Sequence, residues 1–158
     1  SFPGLAHRLQ LIDKIDGISY INDSKATNAE AAARALASYD TIYWIAGGRA
    51  KEGGLTALDP YLSHVRRAFL IGESADYMAA ELRGRVDTKK CGDLKTAIKD
   101  ARLAALRDGI AGAVILLSPA CASFDQFKDF ELRGIEFQKL VAETPRGSLR
   151  SLKRGDTF

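Results

Sequence analysis

In the segment AVILLSPACASFDQF, residues 113–127, five apolar residues are followed at once by small and turn-forming ones. An apolar run without polar alternation is typical of a strand that is covered on both faces, as in the centre of a parallel sheet. Serine and proline directly after it favour a turn where the strand ends. The sequence therefore predicts a buried central strand, a loop at its carboxyl end, and a helix that begins at Ser123.

Strand and helix patterns alternate upstream of this stretch. The runs TIYWIAGG, residues 41–48, and RAFLIG, residues 67–72, end in glycine, as strands that lead into loops often do. Three segments have helical composition or periodicity: residues 27–38, 74–84 and 93–109. Two short alternating segments flank Asp16-Gly17, a dipeptide suited to a tight hairpin turn. We expect an α/β fold with a mostly parallel sheet, helices on both faces and an N-terminal β-hairpin.

Local signals refine two of the helices. Thr27 and Glu30 have the spacing of a capping box, which predicts that the Thr27 hydroxyl caps the first helix. The last helix is predicted to face the sheet with residues spaced three and four apart: Phe127, Phe130, Gly134, Phe137 and Val141. Thr27 and Phe130 thus have structural roles that compete with functional ones.

The length of 158 residues fits one domain with a hydrophobic core, which we place at residues 1–144, followed by a basic tail at residues 145–158. The whole chain has a formal net charge of +3, and the tail alone accounts for it. A nucleic-acid-binding protein would carry its positive charge on a folded face, so this class is not expected. The longest apolar run has five residues, far fewer than a membrane span needs.

We expect a cytoplasmic protein. Two widely separated cysteines do not form a disulfide framework, and a reducing compartment fits them. No signal peptide is recognisable, and a first residue other than methionine suggests that the chain is a fragment.

In parallel sheets, ligands bind beyond the carboxyl ends of the strands. Four segments should meet there: NDSKATN (22–28), GGRAKEGG (47–54), IGESAD (71–76) and SPACASFDQF (118–127). GGRAKEGG is not a phosphate loop of the Walker type, because its lysine does not adjoin the second glycine and no hydroxyl residue follows the lysine. It is a glycine-rich loop with two cations, Arg49 and Lys51, and either a solvated turn or an anion site is open at this stage.

The segment 22–28 is the densest in functional groups. The Asp23 carboxylate could hold a nucleotide ribose, while the Lys25 ammonium and the Thr27 hydroxyl could hold an anion. For Thr27 the alternative is the helix cap alone.

Ser123 and Cys121 lie where the last helix is expected to begin, and a helix N-terminus attracts a carboxylate or phosphate. Such a position also lowers the pKa of a thiol, so Cys121 is a candidate nucleophile. A small buried cysteine is the commoner outcome, and neither His7 nor His64 has a recognisable partner that would make it a base. We expect no catalytic nucleophile, and the Cys and His spacing predicts no metal site.

Three motifs identify a resemblance to a known family: GLAHRLQ (4–10), INDSKATN (21–28) and SPACASFDQFKDFELRGIEF (118–137). Their order and separations closely resemble the C-terminal domain of the Mur ligases that add D-glutamate in peptidoglycan synthesis. The resemblance extends from Phe2 to Glu143 and leaves out the basic tail. It implies a Rossmann-like domain.

The resemblance also implies that the chain is one part of a three-domain, ATP-dependent ligase. In that family, ATP activates the carboxylate of UDP-N-acetylmuramoyl-L-alanine as an acyl phosphate, which the amine of D-glutamate attacks. The phosphate loop, the UDP-sugar domain and the Mg²⁺ ligands belong to other parts of such an enzyme. This chain alone is therefore expected to be inactive, and the enzyme is expected to be a bacterial monomer.

The family motifs assign binding roles by position. Arg8 and Asp23 would contact ATP, the arginine near the phosphates and the aspartate at the ribose. The residues implied at D-glutamate are Lys25, Thr27, Lys51, Ser123, Phe124 and Phe130. Phe124 would act mainly through its backbone. For Phe130 packing alone is the alternative, because it also belongs to the helical stripe.

Other functions stay open. The chain could be the equivalent domain of another Mur ligase or of folylpolyglutamate synthetase. It could also be a free-standing nucleotide- or amino-acid-binding module, since it carries no phosphate loop.

Overall fold

The computed structural model describes residues 6–51 and 53–147, and its centre is a six-stranded sheet in the order β1-β2-β6-β3-β4-β5. The strands are β1 (Gln10–Ile15), β2 (Ile18–Asn22), β3 (Ile42–Gly47), β4 (Val65–Ile71), β5 (Thr88–Gly92) and β6 (Val114–Leu117). The helices are α1 (Ala29–Ala37), α2 (Ala75–Leu82), α3 (Leu94–Asp108), α4 (Phe130–Ala142) and a 3₁₀ helix (Thr56–His64). Of these strands only β1 is antiparallel to its neighbour, so the predicted α/β fold with a mostly parallel sheet is confirmed.

The predicted N-terminal hairpin is also confirmed, and its turn explains the Asp16-Gly17 pair. Both residues have positive φ angles, 53° for Asp16 and 81° for Gly17. A two-residue turn with such angles matches the twist of the paired strands, and aspartate and glycine tolerate it well. The hairpin places β1 at the edge of the sheet, beside β2.

β6 lies in the middle of the sheet between β2 and β3, and all four of its residues are buried. Its side chains alternate between two hydrophobic cores. Leu116 joins Trp44 in the core under α1 and α2, while Leu117 joins Ile45 in the core under α3 and α4. Burial on both faces explains why this strand lacks polar alternation.

α1 begins after Asn28, so the predicted capping box at Thr27 is wrong. The Asn28 side-chain oxygen accepts a hydrogen bond from the Ala31 amide at 2.8 Å. Asparagine is at least as good an N-cap as threonine, because its short side chain reaches the same free amides. The Thr27 hydroxyl is therefore not used for capping.

α4 begins at Phe130 and not at Ser123, so the predicted helix start is also wrong. Asp129 caps the helix by accepting a hydrogen bond from the Leu132 amide at 2.8 Å. A carboxylate cap of this kind defines the helix start. Ser123 consequently does not lie at a helix N-terminus.

Residues 123–129 form turns that are anchored to the neighbouring loops. The Asp125 carboxylate accepts a hydrogen bond from the Glu73 amide at 2.9 Å, and the Gln126 side chain donates to the Gly92 carbonyl at 2.9 Å. These polar anchors hold the segment against the ends of β4 and β5, which a continuous helix from Ser123 would not do.

The predicted stripe of the last helix is correct in its second half. Gly134, Phe137 and Val141 are buried, and the last two belong to the core under α3 and α4. Phe127 packs against that core from the preceding turns. Phe130 is a member of neither core.

Two elements had not been predicted. β5 has the sequence TKKCG and lies at the sheet edge, with side chains that are exposed or half-buried. The 3₁₀ helix buries only Leu58 and Leu62. Neither segment has an apolar run or a helical stripe long enough to predict it. Within the described residues, no helix is long and apolar enough to cross a membrane.

The predicted basic tail is described only at its beginning. Arg146 pairs with Asp13 at 2.6 Å, and the Gly147 amide donates to the Asp16 carboxylate at 3.2 Å. The chain after α4 thus returns to the N-terminal hairpin. The rest of the predicted tail, residues 148–158, lies outside the described residues.

The α1 cap gives a direct test of the corrected helix start. Asn28→Ala should lower the free energy of unfolding by about 1 kcal/mol, because the Ala31 amide loses its acceptor. The matched variant Thr27→Ala should change it by less than about 0.5 kcal/mol. Urea denaturation measures both values. A larger loss for Thr27→Ala would contradict the assignment of the cap to Asn28.

Candidate functional site

The four predicted segments do meet at the carboxyl edge of the sheet, and we call this edge the rim. The loops after β3 and β6 pair through two backbone hydrogen bonds between Arg49 and Ala122, at 2.8 and 3.0 Å. The loop after β4 joins them, because the Ser74 amide donates to the Gly48 carbonyl at 3.0 Å. The segment after β2 accepts a hydrogen bond from the Ala120 amide at 2.9 Å. Stretches that are far apart in sequence therefore form one continuous surface.

Glycine is required at position 48, where two of these loops cross. The φ angle of Gly48 is 136°, and a Cβ atom there would overlap the Ala122 carbonyl oxygen. The absence of a side chain lets the two backbones approach each other to hydrogen-bonding distance.

A cleft of about 710 Å³ opens at the hairpin end of the rim. Small-molecule sites have volumes of roughly 300–1,000 Å³. Three of the predicted binding residues line the cleft, namely Arg8, Asp23 and Lys25, and Arg34 of α1 adds another cation. Cations around a buried carboxylate suit a ligand with both anionic groups and hydroxyl donors.

Asp23 is the buried acid of this cleft, with 4% of its surface exposed. Its carboxylate accepts hydrogen bonds from Ser118 Oγ at 2.7 Å and from the Leu9 amide at 3.1 Å. Burial raises the pKa of Asp23 to about 6, although these hydrogen bonds and the nearby Arg8 oppose the rise. The bond from Ser118 links the ends of β2 and β6 and fixes the carboxylate in place.

Lys25 and Phe130 form a cation–π pair. The Lys25 Nζ atom lies 5.1 Å from the centroid of the Phe130 ring. His7 meets the same ring edge-on, and its carbonyl accepts a hydrogen bond from the Lys25 amide at 3.0 Å. Phe130 therefore supports the Lys25 side chain and does not pack into a core.

The two cations of the glycine-rich loop have different partners. Arg49 forms an ion pair with Glu73 at 2.9 Å. None of the ion pairs found among the described residues involves Lys51. The Lys51 Nζ atom donates instead to Thr27 Oγ1 at 3.3 Å. Of the two cations, Lys51 is thus the one whose charge is available to an anionic ligand.

Ser123 and Phe124 are neighbours with opposite exposure. Ser123 is 2% exposed, and its hydroxyl has no hydrogen-bond partner within residues 6–51 and 53–147. Phe124 is 61% exposed. A buried hydroxyl without a partner is unfavourable, so Ser123 is a place where a ligand or water would gain a hydrogen bond.

Cys121 has the surroundings of a structural cysteine. It is 1% exposed, and burial raises the pKa of its thiol. Its Sγ atom lies 3.5 Å from Ser74 Oγ, beside Met78. A thiol in this state is a poor nucleophile. In the described part of the chain, no group of three or more His, Cys, Asp or Glu side chains is placed to hold a metal ion.

Arg133 of α4 is 1% exposed, and the sequence patterns predict no role for it. Its guanidinium donates to Ser24 Oγ and to the carbonyls of Ser24 and Cys121. The available signal was its place three residues after Phe130 and four before Phe137, on the buried side of the helix. A charged residue there requires polar partners.

The structure brings some of the predicted site residues into contact, but not all of them. Arg8, Asp23 and Lys25 share the cleft, and direct contacts join Lys25 to Phe130 and Thr27 to Lys51. Ser123 and Phe124 lie on the rim loop after β6, next to the crossing at Ala122. Their contact with the other predicted residues stays a prediction.

The chain is thus an α/β domain with a mostly parallel sheet and a cleft lined by charged groups at the carboxyl edge of that sheet. The chain belongs to the family described as "Mur ligase, glutamate ligase domain", whose profile matches residues 7–121. The resemblance seen in its motifs is thereby confirmed.

Curated relatives agree with the family assignment. The chain is 55% identical over 143 residues to UDP-N-acetylmuramoylalanine--D-glutamate ligase of Rhodospirillum rubrum, a match that covers 90% of this chain and 30% of that protein. Proteins of the same name from Paramagnetospirillum magneticum and Rhizobium meliloti are 51% and 54% identical, covering 93% and 90% of this chain and 32% and 31% of their own length. The chain thus spans about a third of the length of these relatives.

The buried Asp23 carboxyl predicts a pH dependence of stability. Its pKa is about 6 in the folded protein and has an ordinary value of 3.8, so the folded state keeps a proton that the unfolded state releases between these values. The free energy of unfolding should therefore fall as the pH rises through this window, by roughly 2 to 3 kcal/mol.

Asp23→Asn should remove this fall, because the amide does not titrate. Urea denaturation of the wild type and of Asp23→Asn between about pH 3.5 and pH 7.5 compares the two slopes. Parallel curves for the two proteins would show that Asp23 is not responsible.

Proposed function

We propose that this chain is the C-terminal domain of an ATP-dependent ligase that joins D-glutamate to UDP-N-acetylmuramoyl-L-alanine through an acyl-phosphate intermediate in peptidoglycan synthesis. The observation that carries the proposal is the hydrogen bond from Lys51 Nζ to Thr27 Oγ1 on the rim. Lys51 belongs to none of the ion pairs of the described residues, and the Thr27 hydroxyl does not cap α1. The names of the relatives, which match most of this chain, support the choice of substrate.

D-Glutamate carries two carboxylates, so its site needs donors at two separate points. Lys51 Nζ and Thr27 Oγ1 supply one point, and their hydrogen bonds to a carboxylate would be charge-assisted. The Ser123 hydroxyl and the backbone at Phe124 supply the other, since the buried hydroxyl lacks a partner in the described structure. Lys25, held over Phe130, completes the set of predicted acceptor residues.

The cleft beside the hairpin suits ATP. The Asp23 carboxylate can accept a hydrogen bond from a ribose hydroxyl, and Arg8 can pair with phosphate. When bound, ATP supplies the phosphoryl group that activates the substrate carboxylate. The Mg²⁺ ligands would lie outside this chain.

The contribution of the domain would be to position the amine of D-glutamate against the acyl phosphate. No group on the rim is needed as a nucleophile, and Cys121 is unsuited to that role. The chain alone would then be inactive, and the complete enzyme a cytoplasmic monomer. The equivalent domain of a Mur ligase that adds another amino acid is the alternative that the rim chemistry also allows.

The function is tested with the full-length protein from the same gene. The assay measures phosphate release from ATP with UDP-N-acetylmuramoyl-L-alanine and, in turn, D-glutamate, L-glutamate and a diamino acid. We expect turnover with D-glutamate far above the others. Preferential use of a diamino acid would favour the alternative ligase, and a lack of turnover with every acceptor would contradict a ligase.

Lys51→Ala in the full-length protein should raise the KM for D-glutamate by roughly tenfold to a hundredfold, because a charge-assisted hydrogen bond to a carboxylate is lost. The KM for ATP should change much less. Arg49→Ala is the matched control, since Arg49 is already paired with Glu73. Equal effects on the two KM values, or a larger effect of Arg49→Ala, would remove Lys51 from the acceptor site.

The separate domain should bind ATP and D-glutamate only weakly, because closure of neighbouring domains usually completes such sites. Isothermal titration calorimetry on this 158-residue chain and on the full-length protein measures the difference. Micromolar affinity of the chain alone for either ligand would contradict the expectation.

A further inference from the structure

We propose that Arg133 and Gly134, two consecutive residues of α4, are positioning residues that hold the acceptor groups and the nucleotide cleft in one fixed arrangement. Neither residue is among those predicted to contact a ligand, and both are buried. The inference rests on the proposed function for what the two parts of the rim bind, and on the geometry for how they are joined.

Arg133 joins the segment after β2 to the loop after β6. Its Nε and Nη2 atoms donate to Ser24 Oγ at 2.8 Å and to the Ser24 carbonyl at 2.7 Å. Its Nη1 atom donates to the Cys121 carbonyl at 3.1 Å. Ser24 lies between Asp23 and Lys25 in sequence, and Cys121 lies two residues before Ser123. One guanidinium thus fixes the backbone beside both groups of predicted acceptor residues.

The buried charge of Arg133 is stable only while its hydrogen-bond acceptors stay in place. All three of its acceptor atoms are neutral oxygens, and no ion pair found among the described residues includes it. Burial lowers the pKa of Arg133 to about 10, so the guanidinium is still charged at neutral pH. The Asp125 carboxylate opposes this lowering of the pKa, but it forms no ion pair with Arg133 among those of the described residues. A buried charge without a directly paired carboxylate is tolerated only if its hydrogen bonds are kept, so both loops must keep their places.

Ser24 also contacts Phe130, the first residue of α4. Its hydroxyl accepts the hydrogen bond from Arg133 and donates to the Phe130 carbonyl at 2.7 Å. Phe130 in turn carries Lys25 over its ring. The position of Lys25 therefore depends on α4 through both its backbone neighbour and its side-chain contact.

Gly134 joins the nucleotide cleft to the next position of α4. A Cβ atom on Gly134 would overlap Nδ1 of His7, so the absence of a side chain lets the His7 ring lie against the helix. The Asn22 side chain donates to His7 Nδ1 at 2.9 Å and to the Gly134 carbonyl at 3.4 Å. His7 directly precedes Arg8, and Arg8 lines the cleft. The packing of the His7 ring against α4 therefore fixes the position of the Arg8 backbone at the cleft.

The two anchors share one turn of a single helix. A shift of α4 would move the acceptor groups and Arg8 together, whereas loss of the Arg133 hydrogen bonds alone would mainly loosen the loops that carry the acceptor groups. Misplacement of reacting groups by about 1 Å can cost roughly a hundredfold in rate. This arrangement would keep the amine of the acceptor in register with the phosphates.

The test uses Arg133→Lys and Gly134→Ala in the full-length protein. Arg133→Lys keeps the charge but cannot make all three fixed hydrogen bonds. It should raise the KM for D-glutamate by roughly tenfold or more, with a smaller effect on the KM for ATP. Gly134→Ala should displace His7, which precedes Arg8 and also contacts Phe130 and the Lys25 amide, so it should raise the KM for ATP together with that for D-glutamate. An unchanged KM for ATP in a folded Gly134→Ala protein would overturn the role of Gly134. Unchanged KM values in a folded Arg133→Lys protein would overturn the proposal.

Two control variants separate positioning from a loss of stability. Arg102 is another buried arginine, 5% exposed, on α3, and Arg102→Lys makes the same exchange of side chains away from the two anchors, so it should change neither KM. Gly109 ends α3 with a positive φ of 63° and no nearby atoms, so Gly109→Ala adds strain far from the two anchors. KM changes in these controls as large as those in the test variants would also overturn the proposal.

A second measurement uses no substrate and does not depend on whether the Arg133→Lys and Gly134→Ala proteins fold. Amide hydrogen exchange of the ligand-free full-length protein is compared for the wild type, Ser24→Ala and Arg102→Lys. Ser24→Ala removes the acceptor of Arg133 Nε, and the amides of Lys25 and Ala122 should exchange roughly tenfold faster in it alone. Unchanged exchange at both amides would overturn the positioning role, whichever amino acid the enzyme uses. If the full-length protein does not use D-glutamate but the two amides do exchange faster in Ser24→Ala, the proposed substrate is refuted and the positioning role is not.

Discussion

The burial of β6 on both faces is the constraint on which the rest of the structure depends. A strand with no solvent-facing side needs a helical layer above it and another below it, and the two cores under the four α-helices provide these layers. Its neighbours β2 and β3 run parallel to it, so the loops that follow all three strands leave the sheet at the same edge. The rim, its cleft and its crossing at Gly48 are consequences of that topology.

The charges at the rim fall into two groups with different functions. Asp23 and Arg133 are buried, and their hydrogen bonds hold the loops in place. Lys51 and Lys25 have no carboxylate partner among the ion pairs of the described residues, and they are held by a hydroxyl and an aromatic ring. The buried charges of Asp23 and Arg133 have hydrogen-bond partners and stabilise the loops. The charges of Lys51 and Lys25 are held by neutral groups and would be available to an anionic ligand. A domain that positions a substrate without reacting with it, as proposed above, would need such a division.

Most of the sheet could be predicted from the sequence, because β3, β4 and β6 are apolar runs followed by glycine or serine, and β1 and β2 flank a recognisable hairpin turn. β5 could not, since an edge strand that reads TKKCG buries too little surface to need apolar residues. The cap of α1 was misplaced by one residue because Thr27 and Asn28 are both good caps, and only the backbone decides between them. The role of Arg133 could not be predicted because its acceptors are backbone carbonyls and a serine more than ten residues away, which leave no motif in the sequence.

We propose that one rim holds the acceptor at two points beside a nucleotide cleft. A crystal structure of the full-length protein with D-glutamate and a non-hydrolysable ATP analogue would show whether it does. We expect one carboxylate of D-glutamate within hydrogen-bonding distance of Lys51 Nζ, the other at Ser123 Oγ, and the ribose at Asp23. D-Glutamate bound wholly to another domain, with Lys51 and Ser123 making no contact to it, would rule out an acceptor site on this rim.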